Sequence, residues 1–408
     1  MRIFIILLLA ITPGVVPPEA HALEIQDGDK ILLLGNTFIE RAQKYGYLET
    51  AITAANPDKK LTFRNIGWSG DTVFGHARSY FGPPREGFGR LEKLVREEKP
   101  TLILANYGAN ASYRGESGLK DFLEGYRRLL DMVQKTGSRI AILTPLPQEK
   151  MPAPLPDPSA HNRDLGLYRD ALVDLAKERG LPVIDLFRAM GEGRWPLARS
   201  PANLTDNGLH MTSYGYWAAA QTVVKALGQD IRPWTATIYP DRKTSITKRA
   251  KVSHLKTGKD QVIFTLTTEN LTSPPDPRHT PKSISESKKR QRPVLALRDL
   301  PEGNWRLTHG NRLIARGTSE EWAAGIALKN SPSTIQAEEL RKTINRKNEL
   351  FFHKHRPQNE TYLFGFRKHE QGKNSVEIPK FQPLIDAQEK TIENLRKPKP
   401  FTLIFVRE

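Results

Sequence analysis

The chain has 408 residues, 62 Lys plus Arg against 45 Asp plus Glu, a net charge of +17, and no cysteine. At about 150 residues per domain that length predicts two or three domains, and 38% hydrophobic residues suffice for ordinary cores. Disulfide scaffolds, thiol chemistry, cysteine-ligated zinc and iron–sulfur clusters are excluded by the missing Cys. The charge is uneven: residues 1–230 carry 28 basic and 26 acidic side chains (+2), and residues 231–408 carry 34 and 19 (+15).

The N-terminus reads as a secretory signal, with Arg2 as the positive region, Ile3 to Ile11 as the apolar core and Ala20-His21-Ala22 as a small-x-small cleavage site. Cleavage after Ala22 predicts a mature chain beginning at Leu23, periplasmic or secreted. Nine apolar residues are too few to cross roughly 30 Å of hydrocarbon, so a transmembrane anchor is not expected. The basic charge alone would suit nucleic acid, but export points away from it by location.

From Asp29 onward, short β-branched or leucine-rich runs alternate with longer amphipathic ones, the pattern of βαβ units and a parallel sheet. Strands are predicted at Lys30–Leu34, Leu61–Asn65, Thr101–Ala105, Arg139–Leu143 and Pro182–Leu186. Apolar residues recur at helical spacing over Phe38–Ala55, Gly87–Glu98, Gly118–Thr136, Leu165–Arg179 and Ser213–Leu227. The expectation is an α/β, flavodoxin-like three-layer sandwich with a five-stranded parallel sheet over residues 23–232. Ligands of such sheets bind at the carboxyl ends of the strands.

The first strand runs into Gly35-Asn36-Thr37, the second into Trp68-Ser69-Gly70-Asp71-Thr72 and the third into Gly108-Ala109-Asn110, while Asn207-Gly208-Leu209-His210 precedes the last helix. Taken singly these are a cap, two turns and a solvated histidine. Together they put a hydroxyl, a glycine amide, an asparagine amide and an imidazole on one rim. In order and context, residues 29–228 resemble the SGNH hydrolase superfamily, the GDSL-type esterases, whose blocks are Gly-Asp-Ser, a Gly often in Ser-Gly-Asp-Thr, Gly-x-Asn and Asp-x-x-His. The resemblance implies an ester hydrolase with Gly70 and Asn110 as oxyanion donors and His210 as base; with no Gly-rich phosphate loop, His-Glu-x-x-His helix or acidic calcium loop, nothing in the sequence suggests a cofactor. Three positions depart from the family: Thr37 stands at the nucleophilic Ser, Asn207 at the triad Asp, and Asn36, between Gly35 and Thr37, at the aspartate of the first block.

A threonine hydroxyl can attack an acyl carbon where a base activates it, although its methyl stiffens χ1. The alternative is that Thr37 only caps a helix beginning at Phe38. Asn207 can orient His210 through its carbonyl without supplying charge, and Asp206, one residue away, is a second candidate partner. For Asn110 the alternatives are an Asx-turn or a glycosylation sequon with Ser112. Trp68 and Tyr107 flank the donors as an aromatic wall or as core. His353-x-His355 is too sparse for a metal site and is expected at the surface.

Residues 233–330 predict a small β-rich domain, with strands at Gln261–Thr267, Pro293–Leu297, Asn304–Thr308 and Arg312–Arg316 and a His309-Gly310-Asn311 hairpin. Ser273 to Arg292, Pro- and Ser-rich and ending in a basic cluster, reads as a long loop, solvated or attracting a polyanionic polysaccharide or envelope surface. Residues 331–408 predict a basic helical extension, with helices over Ile335–Asn348 and Pro383–Arg396 that pack on each other or on the first domain. Its Arg356-Pro357-Gln358-Asn359-Glu360-Thr361 stretch resembles extensions of secreted SGNH-like proteins from planctomycete-type bacteria, and its position between apolar elements admits a lid. The resulting expectation is an exported carbohydrate esterase removing acetyl or other short acyl groups from an acylated glycan. The alternatives are a silent, glycan-binding domain and a lipid esterase or thioesterase.

Overall fold

A computed structural model describes residues 23–80, 82–191, 203–277, 291–370, 372 and 374–408. The predicted signal segment and most of the basic loop fall outside them. Five parallel strands, β1 (Lys30–Gly35), β2 (Thr62–Asn65), β3 (Leu102–Asn106), β4 (Arg139–Leu143) and β5 (Val183–Ile184), pair in the order β2-β1-β3-β4-β5. This is the flavodoxin-like order. Alternate residues of β1 explain the layers: Ile31 and Leu33 enter one core, Leu32 and Leu34 the other. Helices α1 (Thr37–Tyr45), α2 (Tyr47–Ala55), α6 (Leu186–Met190) and α7 (Ser213–Ala226) pack into the first core. Helices α3 (Pro84–Glu98), α4 (Leu119–Gln134) and α5 (Ser159–Arg179) pack into the second.

The sequence expects one helix over Phe38–Ala55, but Gly46, at φ +70°, divides it into α1 and α2. A Cβ at Gly46 would lie 2.1 Å from Asn345 Oδ1, so the break admits a helix from the far end of the chain. The predicted fifth strand is likewise shorter, because Asp185 caps α6 by accepting from the Arg188 N–H at 3.1 Å.

Residues 235–327 supply most of a β sandwich. One sheet runs β13 (Ile326–Ala327), β10 (Val294–Leu297), β6 (Thr235–Tyr239), β7 (Thr244–Lys248); the other runs β12 (Arg312–Thr318), β11 (Asn304–His309), β14 (Phe401–Arg407), β9 (Gln261–Thr268), β8 (Ala250–Thr257). Trp234, Trp305, Trp322, Phe264 and Phe405 fill the space between them. The last segment is therefore not helical throughout: Phe401-Thr-Leu-Ile-Phe-Val-Arg alternates and returns as β14, between β11 and β9. Before it, helices Pro332–His355 and Phe381–Arg396 pack on one another and on the α/β domain, contributing Ala337, Leu340 and Ile344 to one core and Leu350, Phe351 and Ile385 to the other. Lys347 Nζ, fully buried, reaches Glu49 Oε1 of α2 at 2.6 Å and the Phe63 carbonyl of β2 at 3.0 Å.

Candidate active site

The site is assembled at the carboxyl ends of β1, β2 and β3. β1 ends at Gly35, where a Cβ would stand 2.3 Å from the Asn106 carbonyl oxygen, so only glycine lets the strand end pack this closely. Asn36 then caps α1: its Oδ1 accepts from the Phe38 N–H at 3.3 Å. Thr37 is the first helical residue and does no capping. Its Oγ1 instead accepts from the Gly70 N–H at 3.3 Å.

Gly70 sits at φ +77° with no atom within 4 Å of a built Cβ, so backbone conformation and not space restricts this position. Its neighbour Asp71 is fully buried, 2.7 Å from Arg78 Nε; Tyr107 Oη donates to it at 3.3 Å and the Ala77 N–H at 3.2 Å. Burial and the adjacent carboxylate push the Tyr107 phenol well above its ordinary value. Tyr107 is thus core beneath the site and forms no wall. Asn110 donates one Nδ2 hydrogen to the Asp71 carbonyl at 3.1 Å, leaving the second for a ligand.

The fourth block hangs on Glu149, whose carboxylate accepts from the backbone N–H groups of Leu204 (3.0 Å) and Thr205 (2.7 Å) and from Thr205 Oγ1 (2.6 Å). Asn207 Oδ1 accepts from the backbone N–H groups of Leu209 (3.1 Å) and His210 (2.8 Å), and its Nδ2 lies 3.2 Å from His210 Nδ1. Asn207, and not Asp206, is therefore the partner of His210; Asp206 faces Arg41 at 3.5 Å. The two backbone donors fix which way the amide points. Its NH₂ faces Nδ1, which must then be the lone-pair nitrogen, so the neutral ring carries its proton on Nε2. A triad aspartate imposes the opposite tautomer.

Thr37, Asn110 and His210 line a cavity of about 130 Å³ together with Arg41, Tyr113, His161, Leu165 and Leu209. No hydrogen bond joins Thr37 to His210 among the described residues. His161 is a residue that the sequence reading passes over. It stacks on Tyr113 at 4.0 Å, its Nε2 lies 3.2 Å from the buried Ser112 Oγ, and burial lowers its pKa, which favours the neutral ring. Nothing in its local sequence, at the start of a long helix, marks it. His355, expected at the surface, is half-buried: Nδ1 meets the Phe351 carbonyl at 3.0 Å, the shielded Nε2 has no partner among the described residues, and burial pushes its pKa down to about 4.

Residues 39–218 match the GDSL-like Lipase/Acylhydrolase family. A GDSL esterase/lipase of Oryza sativa subsp. japonica is 24% identical over 195 residues, 41% of this chain and 73% of that protein. Among solved structures, a gut microbial diltiazem-metabolizing enzyme superposes with a TM-score of 0.71 at 16% identity, over 95% of this chain and 100% of its own. That likeness is one of fold, and it extends through the sandwich and the C-terminal helices. An acetylxylan esterase from Geobacillus stearothermophilus matches 51% of this chain and 98% of its own, at 19% identity and a TM-score of 0.41.

Proposed function

From the membership of its N-terminal α/β domain in the SGNH hydrolase superfamily, we propose that the chain is an exported ester hydrolase releasing acetyl or another short acyl group from a glycan, with Thr37 as nucleophile. The observation that carries the reading is Thr37 Oγ1, free of capping work and 3.3 Å from the Gly70 N–H, in one cavity with the Asn110 amide and His210. Oγ1 attacks the acyl carbon, its proton passes to His210, and the oxyanion is received by Gly70 N–H and Asn110 Nδ2. The protonated ring then returns the proton to the leaving alkoxide, and water repeats the sequence to free the acid. A cavity of about 130 Å³ suits a short acyl group better than a long chain, since pockets for larger ligands run to roughly 300–1,000 Å³. The glycan class rests on the export signal of residues 1–22 and on the basic C-terminal half, which suits an acidic polysaccharide or an anionic envelope surface.

Slow turnover follows from Asn207. To accept the Thr37 proton at Nε2, the ring must first carry its own proton on Nδ1, against the Asn207 NH₂. The same contact favours a second reading, a silent domain that binds glycan. Acetate release from acetylated xylan and other acetylated polysaccharides separates the two: loss in Thr37→Ala and His210→Ala supports the hydrolase, while binding without release in the unsubstituted chain supports the second reading.

A further inference from the structure

We propose that the C-terminal extension completes the active site, with Arg356 as a positioning residue that holds the Ser69–Gly70 peptide in line for the oxyanion. The role of Gly70 as donor rests on the hydrolase reading above; the brace itself is a matter of geometry.

The loop after β2 is tied at its ends. Trp68 N–H donates to the Gly35 carbonyl at 2.9 Å, and Asp71 is locked to Arg78. Between these ties lie Ser69 and Gly70, both exposed, and Gly70 has no side chain to pack. The Ser69 N–H donates to Glu40 Oε2 of α1, the helix that Thr37 begins. The same oxygen takes Arg356 Nη1 at 3.1 Å, and the Arg356 guanidinium lies 3.6 Å above the Trp68 ring. One side chain from the far end of the sequence thus bridges the nucleophile helix to the residues preceding Gly70, by charge on one side and by its planar face on the other.

The bridge is anchored. Arg356 immediately follows the Pro332–His355 helix, which the buried Lys347–Glu49 pair fastens to α2. Four residues beyond it, Glu360 pairs with Arg90 at 2.8 Å; Arg90 covers Tyr80 at 4.3 Å, and Tyr80 meets Trp68 edge-on at 5.6 Å. The Arg-Pro-Gln-Asn-Glu-Thr stretch therefore grips both ends of the segment from Trp68 to Tyr80. Without Arg356 the half-buried Glu40 carboxylate loses its cation and turns to water, releasing the Ser69 N–H. Oxyanion stabilisation depends on donors fixed before reaction, and a misplacement of about 1 Å costs roughly 100-fold.

The full chain is compared with Arg356→Ala, Arg356→Lys and Glu40→Gln by millisecond-to-second hydrogen exchange of the peptide spanning residues 66–72, and by kcat and KM on an activated acetate ester. Expected are exchange at Ser69 and Gly70 about tenfold faster in Arg356→Ala and Glu40→Gln, a smaller rise in Arg356→Lys, which keeps charge and loses the plane, and kcat lower by about 10- to 100-fold with KM within threefold. Exchange within twofold of the unsubstituted chain in all three variants overturns the proposal. If Arg356→Ala does not fold, the other two carry the same readout. If the unsubstituted chain turns over no ester, the hydrolase reading fails and exchange alone decides the brace.

Discussion

Replacing Asn207 with Asp reverses the His210 tautomer and is expected to accelerate ester hydrolysis. One carboxylate oxygen takes over the two backbone N–H groups that Asn207 Oδ1 now holds at 2.8 and 3.1 Å, so the loop keeps its shape. The second oxygen then stands where Nδ2 is, 3.2 Å from His210 Nδ1, and calls for a proton there. Nε2 becomes the lone-pair nitrogen, able to accept the Thr37 proton without a prior tautomer change. In serine hydrolases the aspartate-to-asparagine change costs about 10⁴ in kcat, or about 5 kcal/mol of transition-state stabilisation. Because the Thr37 methyl remains, the gain expected here is roughly 10²- to 10⁴-fold in kcat/KM. The assay is hydrolysis of p-nitrophenyl acetate beside ¹⁵N NMR of His210, which should report Nε2–H in the unsubstituted chain and Nδ1–H in Asn207→Asp. A protonated Nδ1 in the unsubstituted chain, or a switched tautomer with less than a threefold gain, would refute the reasoning.

Three further outcomes concern stability. Lys347→Ala leaves the buried Glu49 carboxylate unpaired and should cost about 3–5 kcal/mol in urea unfolding; a loss under 1 kcal/mol would contradict a docked C-terminal helix. His355 has a folded-state pKa of about 4, below the unfolded value near 6.5. The unfolded chain therefore binds a proton first as pH falls, and up to about 3 kcal/mol of stability is lost between pH 6.5 and 4; in His355→Phe this part of the pH dependence should vanish. Gly46→Ala forces an alanine to φ +70° against Asn345 and should cost at least 1–2 kcal/mol, measured by thermal unfolding.

What the sequence made legible was local. Each strand of the α/β domain is a short apolar run, and Thr37, Gly70 and Asn110 lie in the turns after β1, β2 and β3, whereas His210 stands ahead of α7 and joins them through the order of the family's blocks. Gly46 was hidden because apolar periodicity continues through Tyr45-Gly46-Tyr47, and the reason for the break is Asn345, some 300 residues away. The same distance hid the role of Arg356: its motif is visible as a polar stretch, but its partners Glu40 and Trp68 belong to other elements. Strand β14 was lost among helices because its pairing partners, β9 and β11, lie far upstream. The choice between Asp206 and Asn207 turned on the direction of a turn, which residue identity does not encode.

The central claim, a threonine nucleophile in an SGNH-type site, is tested most directly by the intact mass of the mature chain after incubation with a small serine-hydrolase phosphonate. A stoichiometric adduct on Thr37, absent in Thr37→Ala and His210→Ala and faster in Asn207→Asp, is the predicted result. No adduct in the unsubstituted chain, in Asn207→Asp, or in Thr37→Ser, where the methyl no longer obstructs the probe, would contradict it.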